Sequence, residues 1–237
     1  MTTEQATEAL VRRLARALEP VRPIPRLWVV ATLVVALGVL AFAADLLLGG
    51  QGFRPLGDPA WASPGYWVIL LGLAMAAIGG LSGAVASAVP GRKTALRFGI
   101  GAVAIGLALA IGAALAGLRG KSGGVSADEI LACLWCMGRA AEIGLLSLIA
   151  AAGFVASAAA LRLGASAALA VVGSVALGAA FVHVTCPSDD PLHHLVSHAL
   201  TPAIAAGVIT VPLGIVLRRL KRRRDPTLTS GERPLPE

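Results

Sequence analysis

The uncharged stretch LGASAALAVVGSVALGAAFVHVTCPS, residues 163–188, decides what kind of fold this chain can adopt. A helix that crosses a bilayer needs about 20 consecutive, mainly apolar residues, and this stretch provides them. Five further intervals also lack charged side chains: 27–44, which is short, 59–91, 98–118, 143–161 and 191–217. Because 57% of the 237 residues are hydrophobic and only 14% are charged, we predict an all-α, polytopic membrane protein, a bundle of six transmembrane helices.

The distribution of basic residues predicts how this bundle is oriented. Sixteen of the 20 Lys and Arg residues precede the first helix, join helices two to three and four to five, or follow the sixth, and four lie on the opposite side. The positive-inside rule therefore predicts that both the N and C termini are cytoplasmic. The expected location of this multi-pass protein is the bacterial inner (plasma) membrane. The run RRLKRRR, residues 218–224, is interpreted as a stop-transfer and anionic-lipid signal, so no direct nucleic-acid partner is predicted.

Three regions are predicted along the chain: a cytoplasmic segment 1–26, a transmembrane domain 27–217, and a basic, disordered cytoplasmic tail 218–237. In the first segment, apolar residues at helical spacing predict an amphipathic helix with its arginines, Arg13 among them, on another face. These apolar residues are Leu10, Val11, Leu14 and Leu18. Prolines in the following EPVRPIP favour an extended spacer. Two interpretations stay open: a helix lying on the membrane surface, or a partner-binding helix on a semi-rigid stalk.

Small residues at four-residue spacing predict where the helices pack closely in lipid. They occur in helices two, three and five: Gly79, Gly83 and Ser87; Ala108, Gly112 and Ala116; Ser174 and Gly178. In helix six, Pro202 and Pro212 predict interruptions.

Helix four is predicted to begin near residue 127, because Ser126 and Glu129 fit a capping box. A helix from there to 161 would be longer than a bilayer is thick. Its first part is therefore expected to project outward, or to lie at the interface and bend near Gly138. Arg139 and Glu142 have the spacing of an ion pair on this helix.

All three cysteines and all four histidines are predicted to lie at the outer end of the bundle. His183, Cys186, His193, His194 and His198 fall within HVTCPSDDPLHHLVSH, residues 183–198, and Cys133 and Cys136 lie at the outer start of helix four. Ionisable groups near membrane depth usually have a partner or a function. A polar turn without any chemistry is the alternative.

Three kinds of chemistry fit these residues. Thiol redox chemistry is possible because Cys136 and Cys186 would meet if helices four and five adjoin, with Cys133 left over. Binding of a thiophilic ion (zinc, copper or a cadmium-like metal) would use Cys186, His193, His194 and His198 as ligands. Haem ligation by His183 and His198 is the third. No enzymatic activity is predicted, since the sequence shows no nucleophile with a positioned base, no phosphate-binding loop and no paired catalytic carboxylates.

Several of these features together resemble the NrsF-type anti-sigma factors, six-helix proteins of the inner membrane. The resemblance begins at LVRRLARALEPVRPIPR, continues through six helices with both ends inside, and ends with a cysteine at the start of helix four and another after helix five. These two cysteines are Cys136 and Cys186. Cys133 and the pair His193 and His194 go beyond the two-cysteine pattern.

The resemblance implies a stress-signalling function. The N-terminal segment would sequester an extracytoplasmic-function sigma factor at the membrane, and the outer thiols would release it on heavy-metal or oxidative stress. A disulfide and a bound metal both remain open as the signal. The alternative function is a membrane metal-handling protein, either a small permease or a metal-binding accessory subunit.

Overall fold

Every regular element is helical in the part of the chain that the computed structural model describes, namely residues 4–5, 7–8, 11, 26–48, 52–119, 126–158 and 162–224. The long helices are α1 (Leu27–Leu47), α2 (Pro64–Ser87), α3 (Lys93–Leu118), α4 (Ala127–Ser157) and α5 (Leu163–Thr185). The short helix α6 (Pro191–His194), a π-helical turn (Leu195–Ala199) and α7 (Thr201–Arg224) follow one another without a loop. A 3₁₀ turn, Pro59–Ala62, precedes α2.

Among the residues that the structure describes, six helical segments are long and apolar enough to cross a membrane. They are α1 to α5, and a sixth span that runs from Pro191 through α6, the π turn and α7 to Lys221. The predicted all-α bundle of six transmembrane helices is confirmed. The cytoplasmic location of the termini stays a prediction.

Helix α5 lies at the centre of the bundle and packs against α2, α4 and α7. In its most apolar stretch 78% of the residues are buried, against 22% in α1, α3 and the sixth span. Glycine residues allow α5 to take this central position: a Cβ at Gly80 of α2 would lie 2.6 Å from the Cα of Gly173 in α5. At Gly178 of α5, a Cβ would collide with the carbonyl group of Ala140 in α4. Backbone therefore meets backbone on two sides of α5.

The predicted packing residues are confirmed in α2 and α5 but wrong in α3. A Cβ at Gly79 would lie 2.7 Å from the Cβ of Ala102, so this face of α2 does meet α3. Ala108, Gly112 and Ala116 are exposed, and the buried small residues of α3 are Gly99, Gly106, Ala110 and Ala114. Since α3 is rich in small residues all round, spacing alone did not distinguish the face that packs from the opposite one.

The sixth span is irregular where Pro202 was expected to interrupt it. The amide of Leu200 donates to the carbonyl of Leu195, 2.9 Å away, which is the wide hydrogen-bond register of a π turn. The Thr201 hydroxyl donates to the Ser197 carbonyl at 2.8 Å. This hydrogen bond satisfies a backbone acceptor close to the proline. Pro212, in contrast, lies inside an uninterrupted α7.

The start of α4 is the predicted capping box. The Glu129 amide donates to the Ser126 hydroxyl at 3.1 Å, and the Ser126 amide donates to the Glu129 carboxylate at 2.8 Å. The helix then continues without interruption through Gly138 to Ser157. The carboxylate partner of Arg139 is Asp45 of α1, not the predicted Glu142, so this ion pair joins two helices.

At the two ends of the chain, only part of what was predicted falls on described residues. Near the N-terminus, residues 4, 5, 7, 8 and 11 are helical and Val11 is exposed, whereas Leu10, Arg13, Leu14 and Leu18 lie outside the described residues. At the other end, α7 includes residues 218–224, so the first part of the predicted disordered tail is helical. Lys and Arg favour helix and extend a span readily into the polar interface. Residues 225–237 lie outside the described residues.

A matched pair of substitutions in α3 tests which face of this helix packs. A Cβ at Gly106 would lie 2.5 Å from the carbonyl oxygen of Gly72, whereas one at Gly112 would have no neighbour within 4 Å. We expect Gly106→Ala to destabilise the protein by about 1–3 kcal/mol, as overpacking typically does. Gly112→Ala should be neutral. Thermal unfolding in detergent measures both, and an equal shift in the two variants would contradict the packing of α3 on α2.

Candidate thiol and metal site

The start of α2, the end of α3, the start of α4 and the start of the sixth span meet at one end of the bundle, which we call the Cys/His end. All three cysteines and all four histidines of the chain lie there and are buried. Helix α4 contributes Cys133 and Cys136, α5 contributes His183, and the following connection contributes Cys186; His193 and His194 lie in α6 and His198 in the π turn. The structure therefore brings together residues up to 65 positions apart, from Cys133 to His198.

Four of these residues form what we call the thiol group: Cys133, Cys136, Cys186 and His193. The sulfur atoms of Cys136 and Cys186 lie 4.0 Å apart. The His193 ring lies between two sulfurs, with its Nε2 3.3 Å from Cys186 and its Nδ1 3.6 Å from Cys133. All three cysteines are free thiols. The donor atoms of Cys136, Cys186 and His193 all lie within 4.8 Å of one another, so this group could hold a metal ion.

The arrangement of the thiol group suits two reactions. Sulfur and imidazole donors together select soft or borderline ions such as copper(I) and zinc. The same two sulfurs would need to approach from 4.0 Å to about 2.05 Å to form a disulfide. A disulfide would therefore draw α4 toward the connection that follows α5. Two sulfurs bound about 2.3 Å from one tetrahedral ion lie roughly 3.8 Å apart, so an ion would link the two segments at nearly their present spacing.

The thiol of Cys186, which lies between the fifth and sixth spans, has an unusually low pKa. The hydrogen bond from Cys136 holds the pKa of Cys186 well below its usual range; burial opposes this effect, and the neighbouring His193 and His198 add to it. The thiolate form of a cysteine is both the nucleophile and the metal ligand. Cys186 is therefore the cysteine expected to react with an oxidant or to bind a metal ion first.

Three further residues form what we call the imidazole group: His183, His194 and His198. Their ligand atoms also lie within 4.8 Å of one another, so this group could hold a metal ion as well. The proposed ligands Cys186, His193, His194 and His198 are thus divided between two groups, and His183 was not among them. Consecutive residues on a helix differ by about 100° in direction, which sends His193 and His194 to different groups. His183 joins the second group only through the packing of α5 on the sixth span.

Haem is not accommodated between His183 and His198. Both side chains are fully buried, and their ring centroids are only 5.1 Å apart, with the His194 ring 5.0 Å from His183. A porphyrin between them would have to displace the packed helices.

Arg54, which the sequence did not suggest as a site residue, covers this end of the bundle. Its Nη1 donates to Asp189 at 2.6 Å and to Asp58 at 3.0 Å, and its Nη2 donates to the Ser188 carbonyl. Burial disfavours the charge of Arg54, but attraction to Asp189 and Asp58 outweighs burial and leaves its pKa raised. The only sequence signal was an acidic pair in the turn CPSDDP opposite one of the few basic residues on that side.

Two separate cavities lead toward the two groups. One, of about 300 Å³, is lined by Tyr66, Asp189 and His194 among others. The second, of about 130 Å³, is lined by Cys133, His193 and apolar residues of α4 and the sixth span. Small solutes can therefore approach the imidazole group and the thiol group by different routes.

The lowered pKa of Cys186 predicts how fast it reacts at different pH values. An ordinary thiol loses thiolate about tenfold per pH unit below a pKa near 8.5. We expect the rate at which a small reagent alkylates Cys186 to be nearly constant between about pH 6 and pH 8. Peptide mass spectrometry measures this rate. Cys136→Ala, which removes the hydrogen-bond donor, should restore the steep dependence, and Cys133→Ala should not. A steep dependence in the unaltered protein would contradict the hydrogen-bonded thiolate.

Comparison of the chain with protein-family models, with curated proteins and with solved structures finds no match. The resemblance to NrsF-type anti-sigma factors therefore rests on the residues and spacings of the sequence alone.

Proposed function

We propose that the protein is a membrane-bound anti-sigma factor that releases its partner when the thiol group meets a heavy metal or an oxidant. In the resting state, the N-terminal segment sequesters an extracytoplasmic-function sigma factor through Leu10, Val11, Leu14 and Leu18, with Arg13 beside them. The Cys/His end faces the outside of the inner membrane and acts as the sensor.

One observation carries the sensor half of this proposal: Cys136 lies in α4 and Cys186 in the connection after α5, yet their sulfurs lie 4.0 Å apart. Buried free thiols are inert when isolated, and reactive ones have a partner that stabilises the thiolate. Here Cys186 has both Cys136 and His193 within hydrogen-bonding range.

Cys136 and Cys186 can react with an oxidant and can also bind a heavy-metal ion. A peroxide would oxidise the Cys186 thiolate to a sulfenic acid with release of hydroxide, and the Cys136 thiol would then form the disulfide with release of water. A cadmium-like ion would instead bind both sulfurs, and Cys136 would lose its proton on binding. Either product joins α4 to the connection after α5 by bonds through the two sulfurs, and this fixed link is the signal.

Helices α4 and α1 transmit the signal from the thiol group to the other end of the bundle, where the N-terminal segment joins α1. One turn beyond Cys136, Arg139 forms its ion pair with Asp45 of α1. Further along, the hydroxyl of Ser147 in α4 donates to the carbonyl of Val34 in α1 at 2.8 Å. Helix α1 begins at Leu27, directly after the N-terminal segment. A coupling free energy of about 1–3 kcal/mol between two such sites would release a moderately bound partner.

Purification of the protein from its host in mild detergent tests the partner half of the proposal. We expect a stoichiometric sigma factor to accompany the full-length chain and to be lost when residues 1–20 are deleted. Deletion of 225–237 is the matched control and should retain the partner. Mass spectrometry identifies what is bound. A full-length protein that carries metal but no sigma factor would overturn the proposal in favour of metal handling.

A further inference from the structure

We propose that His183, His194 and His198 form a second metal site, separate from the thiol group, which binds a borderline divalent cation of the zinc class. The inference does not depend on a sigma factor. It rests on the tautomers of the rings, on their unpartnered nitrogens and on their spacing.

Backbone carbonyls fix the tautomers of two of the three rings. The Nε2 of His183 lies 3.2 Å from the carbonyl oxygen of Tyr66, and the Nε2 of His194 lies 2.8 Å from that of Ser188. Because a carbonyl can only accept, each Nε2 must carry the proton, and each Nδ1 is left with a free lone pair. Metal-ligating histidines usually have this arrangement, one ring nitrogen donating to a carbonyl or carboxylate while the other binds the metal.

Nitrogen atoms of the imidazole group are buried without a hydrogen-bond partner. They are Nδ1 of His183 and both nitrogens of His198. Both side chains are completely buried. A neutral imidazole carries its proton on one nitrogen, so the unpartnered lone pairs are on Nδ1 of His183 and on one nitrogen of His198. Buried polar atoms without a partner are unfavourable, and these two lone pairs call for a ligand that accepts them. A cation does so, whereas an apolar ligand would not.

The spacing of the rings suits a single small ion. Their centroids are 5.0, 5.1 and 5.6 Å apart. A tetrahedral zinc ion bound about 2.1 Å from each nitrogen would hold three imidazole centroids roughly 5 Å apart. Three protein ligands leave a fourth position, and the cavity of about 300 Å³ beside His194 gives water or a solute access to it.

The electrostatic surroundings also permit a cation. The Tyr66 ring stacks on His183 with centroids 4.3 Å apart, and the guanidinium of Arg54 lies on Tyr66, 5.7 Å from its centroid. That positive charge is already paired with Asp58 and Asp189. Three nitrogen donors and no sulfur make this group harder than the thiol group, which would therefore compete better for cadmium or copper(I).

Metal content of a variant without cysteines tests the second site. Full-length protein with Cys133→Ser, Cys136→Ser and Cys186→Ser, purified with an affinity tag that lacks histidine, is dialysed against Zn²⁺ and then buffer. We expect one zinc per chain by elemental analysis. Adding His198→Ala should remove it, and adding His193→Gln, the matched control, should not. Absence of zinc from the cysteine-free protein, or its equal loss in both histidine variants, would overturn the proposal.

Titration of the unaltered protein with Co²⁺ provides a second test in case the cysteine-free variant fails to fold. Cobalt bound by thiolate shows a sulfur-to-metal charge-transfer band, whereas cobalt bound by three imidazoles does not. We expect two equivalents to bind, one with this band and one without, and His198→Ala to abolish only the second. A single equivalent, or loss of both, would refute a separate site. Neither readout involves the sigma factor, so failure here leaves the proposed thiol-dependent release untouched.

Discussion

The close backbone contact of α5 with α2 and α4 is the constraint on which the rest of the structure depends. Gly173 meets Gly80, and Gly178 meets Ala140, at distances that no Cβ would permit. Ala140 is one turn from Cys136. The same contact that holds the centre of the bundle together therefore sets the distance between Cys136 and Cys186. In lipid, where helices gain little from the hydrophobic effect, such packing is a main source of helix association.

Two neighbouring groups with different chemistry follow from that packing. The thiol group combines sulfur and nitrogen donors, and the imidazole group has nitrogen alone. His193 and His194 are adjacent in sequence but serve different groups, because they lie on different faces of α6. The proposed sensor would respond to a soft ion or an oxidant at the sulfurs while a borderline cation stays at the imidazoles. Arg54 lies at the same end as both groups, and its ion pair with Asp189 joins the connection between α1 and α2 to the turn after α5.

The sequence predicted what depends on composition and local pattern. Long uncharged intervals predicted six spans, and the capping box at Ser126 predicted the start of α4, because these signals act within one segment. It failed where the outcome depends on which helices meet. The packing face of α3, the pairing of Arg139 with Asp45, and the inclusion of His183 in the imidazole group all required the tertiary arrangement. Arg54 was missed for the same reason, since two of its partners, Ser188 and Asp189, lie more than 130 positions away.

Release of the partner from a purified complex tests the central claim most directly. The full-length protein, reconstituted in lipid nanodiscs with the sigma factor proposed as its partner, is titrated with Cd²⁺ while bound sigma factor is measured. We predict that the sigma factor dissociates as the thiols become occupied, and that Cys136→Ala with Cys186→Ala binds it equally well but no longer releases it. A complex that stays intact at saturating Cd²⁺ and after peroxide treatment would contradict the account.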